Sequence, residues 1–129
     1  MSLFYKLSTL MGLIVVVSNT TNKNREKLLD PKKNESGGLS GQPIKDLSTV
    51  LVKKFYRELN KKISIIGVGG VDSGKSAFEK ITAGADVIQL YTGMVYRGPG
   101  IVKEIKKELI SILKNNKIKN IRDAVGINA

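Results

Sequence analysis

The 129-residue sequence contains no cysteine and no histidine. Without cysteine, neither disulfides nor thiolate chemistry can be invoked. Without histidine, the commonest general base and the commonest metal ligand are missing, so a Ser-His-Asp triad and a histidine zinc site are excluded within this chain. Aromatic residues are scarce, with four Tyr and three Phe, and acidic residues are outnumbered, 11 Asp+Glu against 22 Lys+Arg, for a formal charge of +11. Counterion release would reward a nucleic-acid partner for clustered lysines. Here the lysines are dispersed, as at Lys23, Lys53, Lys80, Lys103 and Lys119, and few rings are available for base stacking. Solvated surface charge is the better reading, and no nucleic-acid partner is expected. Long apolar runs are absent too. Met11 to Val17 is the most apolar stretch, far short of the roughly 20 residues a membrane span needs. The start, Met1 to Lys6, lacks the basic region, long apolar stretch and small-residue cleavage site of a signal peptide. No metal site is expected, and the chain itself is expected to be soluble.

At 41% hydrophobic and 26% charged residues, the composition suits one domain large enough to bury a core. Three short, β-branched runs stand out: Leu13 to Val17, Ile63 to Val68, and Val87 to Tyr91. Their continuous apolarity predicts strands of a parallel sheet, buried on both faces. Helix-period segments lie between them. Asp46 to Leu59 sets Leu47, Val50, Leu51, Phe55 and Leu59 on one face. A second helix, capped by Asp72 or Ser73, runs to about Thr82 with Gly84 near its C′ position. A third begins near Pro99 and turns Ile101, Ile105, Leu109 and Leu113 inward, and a short turn or helix follows Asn120. This is β/α alternation with crossover connections. The one long irregular stretch is Asn22 to Gly41, a length that in a compact unit is usually functional or mobile.

The polar and glycine clusters all follow strands: Ser18-Asn19-Thr20-Thr21, Gly67-Val68-Gly69-Gly70, and Tyr91-Thr92-Gly93. In parallel α/β folds this is the edge where ligands bind, and glycines there let the backbone approach an anion. A phosphate shared by Gly69-Gly70 and Tyr91-Thr92-Gly93 would match the barrel phosphate site after the last two strands; plain tight βα turns would read the same way. A rival is literal. Gly69 to Ser76 satisfies G-x-x-x-x-G-K-S, the P-loop pattern, between a strand and a helix. Lys75 would then reach the β/γ-phosphates and Ser76 would hold Mg²⁺. Against it, no later strand ends in an aspartate that could complete the metal site, since Asp86 precedes its strand.

Several motifs combine in order. They are Ser18-Asn19-Thr20-Thr21, Gly37-Gly38-Leu39-Ser40-Gly41-Gln42-Pro43-Ile44 and Asp46-Leu47-Ser48-Thr49, then Ile65 to Gly74 (IIGVGGVDSG). Glu79-Lys80-Ile81, Ala83-Gly84-Ala85, Gln89-Leu90-Tyr91-Thr92-Gly93, Gly98-Pro99 and Asp123-Ala124-Val125-Gly126 follow. Together they resemble the quinone-dependent (class 2) dihydroorotate dehydrogenases, from about Gly12 to Gly126. Residues 1–129 then form a single incomplete α/β barrel domain, with 12–126 family-like and 1–11 a stretch that could be non-native or tag-like.

The resemblance implies an FMN-containing TIM-type (β/α)₈ barrel that oxidises dihydroorotate to orotate and passes electrons to a membrane quinone. About three βα units, the C-terminal portion with its parallel sheet, would be present here. Ser18, Gly41, Gly70, Tyr91 and Thr92 would line the FMN, the glycines through backbone N–H groups. Asn19 and Thr20 would contact the pyrimidine, and the Asn22 to Ser36 stretch would belong to a mobile loop near it. The resemblance assigns the catalytic serine base, the flavin-facing lysine and the quinone-tunnel helices to parts upstream. No catalytic residue is therefore assigned in this chain, and alone it is expected to be inactive. Lys75 and Ser76 would fall on the helix after the seventh strand, making the P-loop pattern coincidental; a non-catalytic remnant is the other alternative. The parent enzyme would be membrane-associated, at the bacterial cytoplasmic or inner mitochondrial membrane. A three-stranded piece would also expose two sheet edges, which favours self-association.

Overall fold

The computed structural model describes residues 13–129 apart from Asn24 and Lys27. The Met1–Met11 stretch set apart above lies outside the described residues. Strand β1 (Ile14–Val17), helix α1 (Lys45–Leu59), strand β2 (Ser64–Val68) and helix α2 (Gly74–Thr82) come first. Strand β3 (Val87–Gln89) and helices α3 (Thr92–Arg97) and α4 (Ile101–Asn115) complete the order, with 3-10 turns at Gln42–Ile44 and Ile121–Ala124. The sheet is parallel, in the order β1-β2-β3, with Val15 beside Ile65, Val17 beside Gly67, and Gly67 beside Ile88.

The local chemistry explains the boundaries. Ser73 caps α2 in a capping box: its hydroxyl accepts the Ser76 N–H, and the Ser76 hydroxyl accepts the Ser73 N–H. Past the far end of α2, Gly84 turns at φ 122. The last residues of the chain then cap two of the helix's open carbonyls, Gly126 N–H donating to Ile81 and Asn128 N–H to Thr82. At the start of β2, the Asp86 carboxylate accepts the Ile65 N–H at 2.8 Å.

The core lies between one sheet face and the helices. Val17 and Ile65 pack against Val52 of α1 and against Ala83 and Ala85. A second cluster joins Val71 and Ala77 to Ile101 and Ile105 of α4. Two expectations need correction. Among the described residues the strands are covered on one face only: Ile14, Val16 and Val87 share the other and are 60%, 52% and 54% exposed. In a closed barrel such a face looks inward onto side chains of other strands, which accounts for its apolarity. Helix α1 is also rotated from its apolar stripe. Leu51 and Leu59 pack against the core as expected, but Ser48 and Val52 are its fully buried residues, and Leu47, Val50 and Phe55 remain exposed. The reason is a polar contact network centred on Ser48, described below.

Candidate functional site

The three loops that follow the three strands converge on one open cleft of about 990 Å³. Ser18, Asn19, Thr20, Gly41, Gly70, Tyr91 and Thr92 all line it, although they are spread over most of the chain. The convergence follows from parallel topology, which sends every strand's C-terminal end to the same edge.

Each loop is tied to the next. The segment after β1 is pinned at its base by a reciprocal backbone pair between Thr21 and Leu39, at 3.1 and 2.8 Å. Within it, the Arg25 guanidinium donates to the carbonyls of Lys33, Glu35 and Gly37. Ser40 and Thr92 hydroxyls meet at 3.0 Å, joining this loop to the one after β3. Gln42 donates to the Asp72 carboxylate at 2.5 Å, and Arg97 donates to the Asp72 carbonyl at 2.8 Å. Burial alone would raise the Asp72 carboxyl, but hydrogen bonds from Gln42, Ser76 and Ser73, and the nearby Arg97 cation, outweigh it and hold the group below the usual carboxylate range.

The backbone offers donors to an anion. No acceptor among the described residues takes the N–H of Gly70, Thr92 or Gly93. Gly70 lies at φ 71, and a Cβ there would fall 2.5 Å from the Lys45 Cβ, so only glycine can bring this backbone to the cleft. The Asn19 side-chain oxygen accepts the Thr20 N–H at 2.8 Å, which leaves its amide nitrogen as the donor available to the cleft.

The P-loop reading finds its groups elsewhere. Lys75 is exposed and outside the cleft lining. The Ser76 hydroxyl is buried and consumed by Ser73 and Asp72 in the helix cap, and Asp86 is engaged by β2. Among the described residues, no group of three or more acidic, His or Cys side chains could hold a metal ion. No helix among them is long and apolar enough to cross a membrane.

Sequence reasoning missed one part of this architecture. Lys80, taken above as one of the dispersed surface lysines, is fully buried. Its ammonium donates to the hydroxyls of Ser48 at 2.5 Å and Thr49 at 3.0 Å, and to the Lys45 carbonyl at 3.4 Å. Burial, with the Lys45 cation nearby, brings its pKa down to about 8 despite the opposing pull of Glu79 and Asp46. A signal existed: position 80 falls on the same helical face as Ala77 and Ile81, both buried. Lys45 itself is shifted upward, chiefly by its 3.0 Å bond to Glu79, which overcomes its own desolvation.

Three parallel strands with helices on one face, and loops sharing a cleft at their C-terminal ends, define a sector of a (β/α) barrel. Comparison with known proteins specifies it. A family model described as dihydroorotate dehydrogenase matches residues 5–113. A dihydroorotate dehydrogenase (quinone) of Bartonella tribocorum is 48% identical over 118 residues, covering 92% of this chain and 32% of that protein. The mitochondrial enzyme of Mus musculus is 42% identical over 113 residues, covering 88% and 29%. The ligand-free crystal structure of the dihydroorotate dehydrogenase from Eimeria tenella superposes with a TM-score of 0.88 at 40% identity, over 95% of this chain and 34% of that one. The chain belongs to the dihydroorotate dehydrogenase family, and the Bartonella tribocorum and Mus musculus relatives are named as quinone-dependent enzymes. It spans about a third of the length of those relatives.

Proposed function

We propose that this chain supplies part of the FMN and substrate site of a quinone-dependent dihydroorotate dehydrogenase, which oxidises dihydroorotate to orotate in pyrimidine synthesis. The observation that carries the reading is the convergence of Ser18, Asn19, Thr20, Gly41, Gly70, Tyr91 and Thr92 on one cleft from three successive loops. A cleft of this size suits a flavin. The unpaired N–H groups of Gly70, Thr92 and Gly93 suit a phosphate dianion, which a neutral backbone can hold without a paired cation. FMN bound there would be the two-electron acceptor for the substrate.

The roles divide by loop. Gly41, Gly70, Tyr91 and Thr92 hold the phosphate and ribityl chain, Gly41 being fixed by close packing on the Thr92 methyl, 2.9 Å from where its Cβ would lie. Ser18 lies against the flavin. Asn19 and Thr20, both exposed at the cleft, orient the pyrimidine. No side chain here is assigned as the catalytic base, since the cleft offers no histidine or cysteine and no serine with an activating partner. Acting alone the chain binds without turnover. Quinone and membrane association belong to the whole enzyme; one of the relatives named mitochondrial is that of Arabidopsis thaliana. With Ile14, Val16 and Val87 uncovered on one sheet face, the chain by itself pairs with a second copy through this face and its edges.

The test is a visible absorption spectrum of the purified chain after adding FMN and desalting, repeated with Lys75→Ala. A retained flavin spectrum near one per chain, indifferent to Lys75→Ala, is expected. A colourless protein would refute a self-sufficient FMN half-site, and magnesium-dependent ATP binding abolished by Lys75→Ala would favour the P-loop instead.

A further inference from the structure

A lysine with no exposed surface is unusual unless something is built around it. Lys80 is such a residue, and nothing in the proposed chemistry uses it directly. Among the described residues its ammonium is hydrogen-bonded only by neutral oxygens, the hydroxyls of Ser48 and Thr49 and the Lys45 carbonyl. The Ser48 hydroxyl lies 2.9 Å from two carbonyls, those of Lys45 and Gly69, and has one proton to give. Lys80 also donates to the Lys45 carbonyl, and the Thr49 hydroxyl donates to it at 2.8 Å. That carbonyl is therefore already supplied, and the Ser48 proton is directed to Gly69.

The consequence lies one peptide further on. Gly69 sits at φ 110, and a Cβ there would come within 2.9 Å of Ser48 Oγ. Its backbone thus presses directly on the buried hydroxyl. The peptide joining Gly69 to Gly70 is trans, so its C=O and N–H point in opposite directions. Holding the Gly69 carbonyl against Ser48 turns the Gly70 N–H away from the helices and toward the cleft that Gly70 lines. We propose that Lys80 is a positioning residue for the phosphate cradle, acting through Ser48 to lock the Gly69-Gly70 peptide with its N–H facing the ligand. The inference rests on the reading of Gly70 as a phosphate donor. It adds that the donor's orientation is imposed from behind, by a buried cation on the helix after β2.

Titrating the whole chain with FMN and with riboflavin, which lacks the phosphate, separates the possibilities. The parent should bind FMN more tightly than riboflavin. Lys80→Met and Ser48→Ala should each cut FMN affinity about tenfold while leaving riboflavin affinity unchanged, the loss of about one well-aimed bond. A merely structural role would weaken both flavins together, and that outcome overturns the proposal. A parent that does not prefer FMN refutes the cradle itself, and this inference with it. A parent that prefers FMN, with variants that keep the full preference, refutes the positioning role alone. Should Lys80→Met fail to fold, Ser48→Ala decides the matter, since it removes one oxygen without burying a new charge.

Discussion

Replacing Lys80 by methionine should remove a specific pH dependence from the stability of this fold. In the folded chain the Lys80 pKa is about 8, against 10.5 for a solvated lysine. The folded form therefore releases a proton that the unfolded form keeps, anywhere between those two values. Stability attributable to Lys80 rises with pH across that window, and the full penalty for burying the charge is felt below pH 8. At about 1.4 kcal/mol per pH unit, the gain across the window is on the order of 3 kcal/mol. The neighbours do not reverse the sign. Lys45 is shifted upward and stays charged through most of the window. Lys80→Met preserves most of the volume and leaves the Ser48 and Thr49 hydroxyls the Lys45 carbonyl as an acceptor. No buried donor is orphaned, so the variant should fold. Urea unfolding of both proteins at pH 7, 8, 9 and 10 measures the effect. The stability of the parent relative to Lys80→Met should climb by about 2–3 kcal/mol from pH 7 to pH 10. Every other lysine is common to both chains and cancels. A difference that stays constant with pH would refute the reasoning.

Other perturbations probe the remaining links. Gly70→Ala would place a methyl 2.5 Å from the Lys45 Cβ at φ 71, which should cost about 2 kcal/mol in urea unfolding and abolish FMN retention on desalting. Ile65→Ala empties a site only 1% exposed between Val17, Val52 and Ala85; a loss of about 3 kcal/mol is expected, and under 1 kcal/mol would mean the sheet-helix core is not packed as described. Arg25→Ala removes the donor to the Lys33, Glu35 and Gly37 carbonyls, so trypsin should cut at Lys32 and Lys33 several-fold faster while global stability changes by less than about 0.5 kcal/mol.

Much of this protein is determined by local sequence. The runs ending at Val17, Val68 and Tyr91 are too short and too β-branched for helices, and each is followed by glycine or small polar residues, so both the strands and the ligand edge are legible, although the third strand stops at Gln89. Ser73 and Gly84 mark the limits of α2 by capping chemistry that needs no tertiary context. The short α3 was not foreseen. Thr92 and Gly93 read as a turn, and the helix forms where Gly93 packs within 2.7 Å of the Val71 carbonyl, counted from its missing Cβ.

What only the tertiary structure decided is which side of each element faces inward, and what polar groups go with it. Periodicity put Leu47, Val50, Leu51, Phe55 and Leu59 of α1 toward the core; Leu51 and Leu59 do pack there, but the helix also turns Ser48 and Val52 in and leaves the other three exposed. A buried ammonium from α2 needs oxygen partners, and hydrogen bonding in a dry interface outweighs the burial of a few more methylenes. The strands' second apolar face was plain in the sequence, but what covers it depends on groups that no local pattern in these residues can name. Local propensity and period act over a few residues; the pairing of Lys80 with Ser48, 32 positions apart, exists only once the chain has closed on itself.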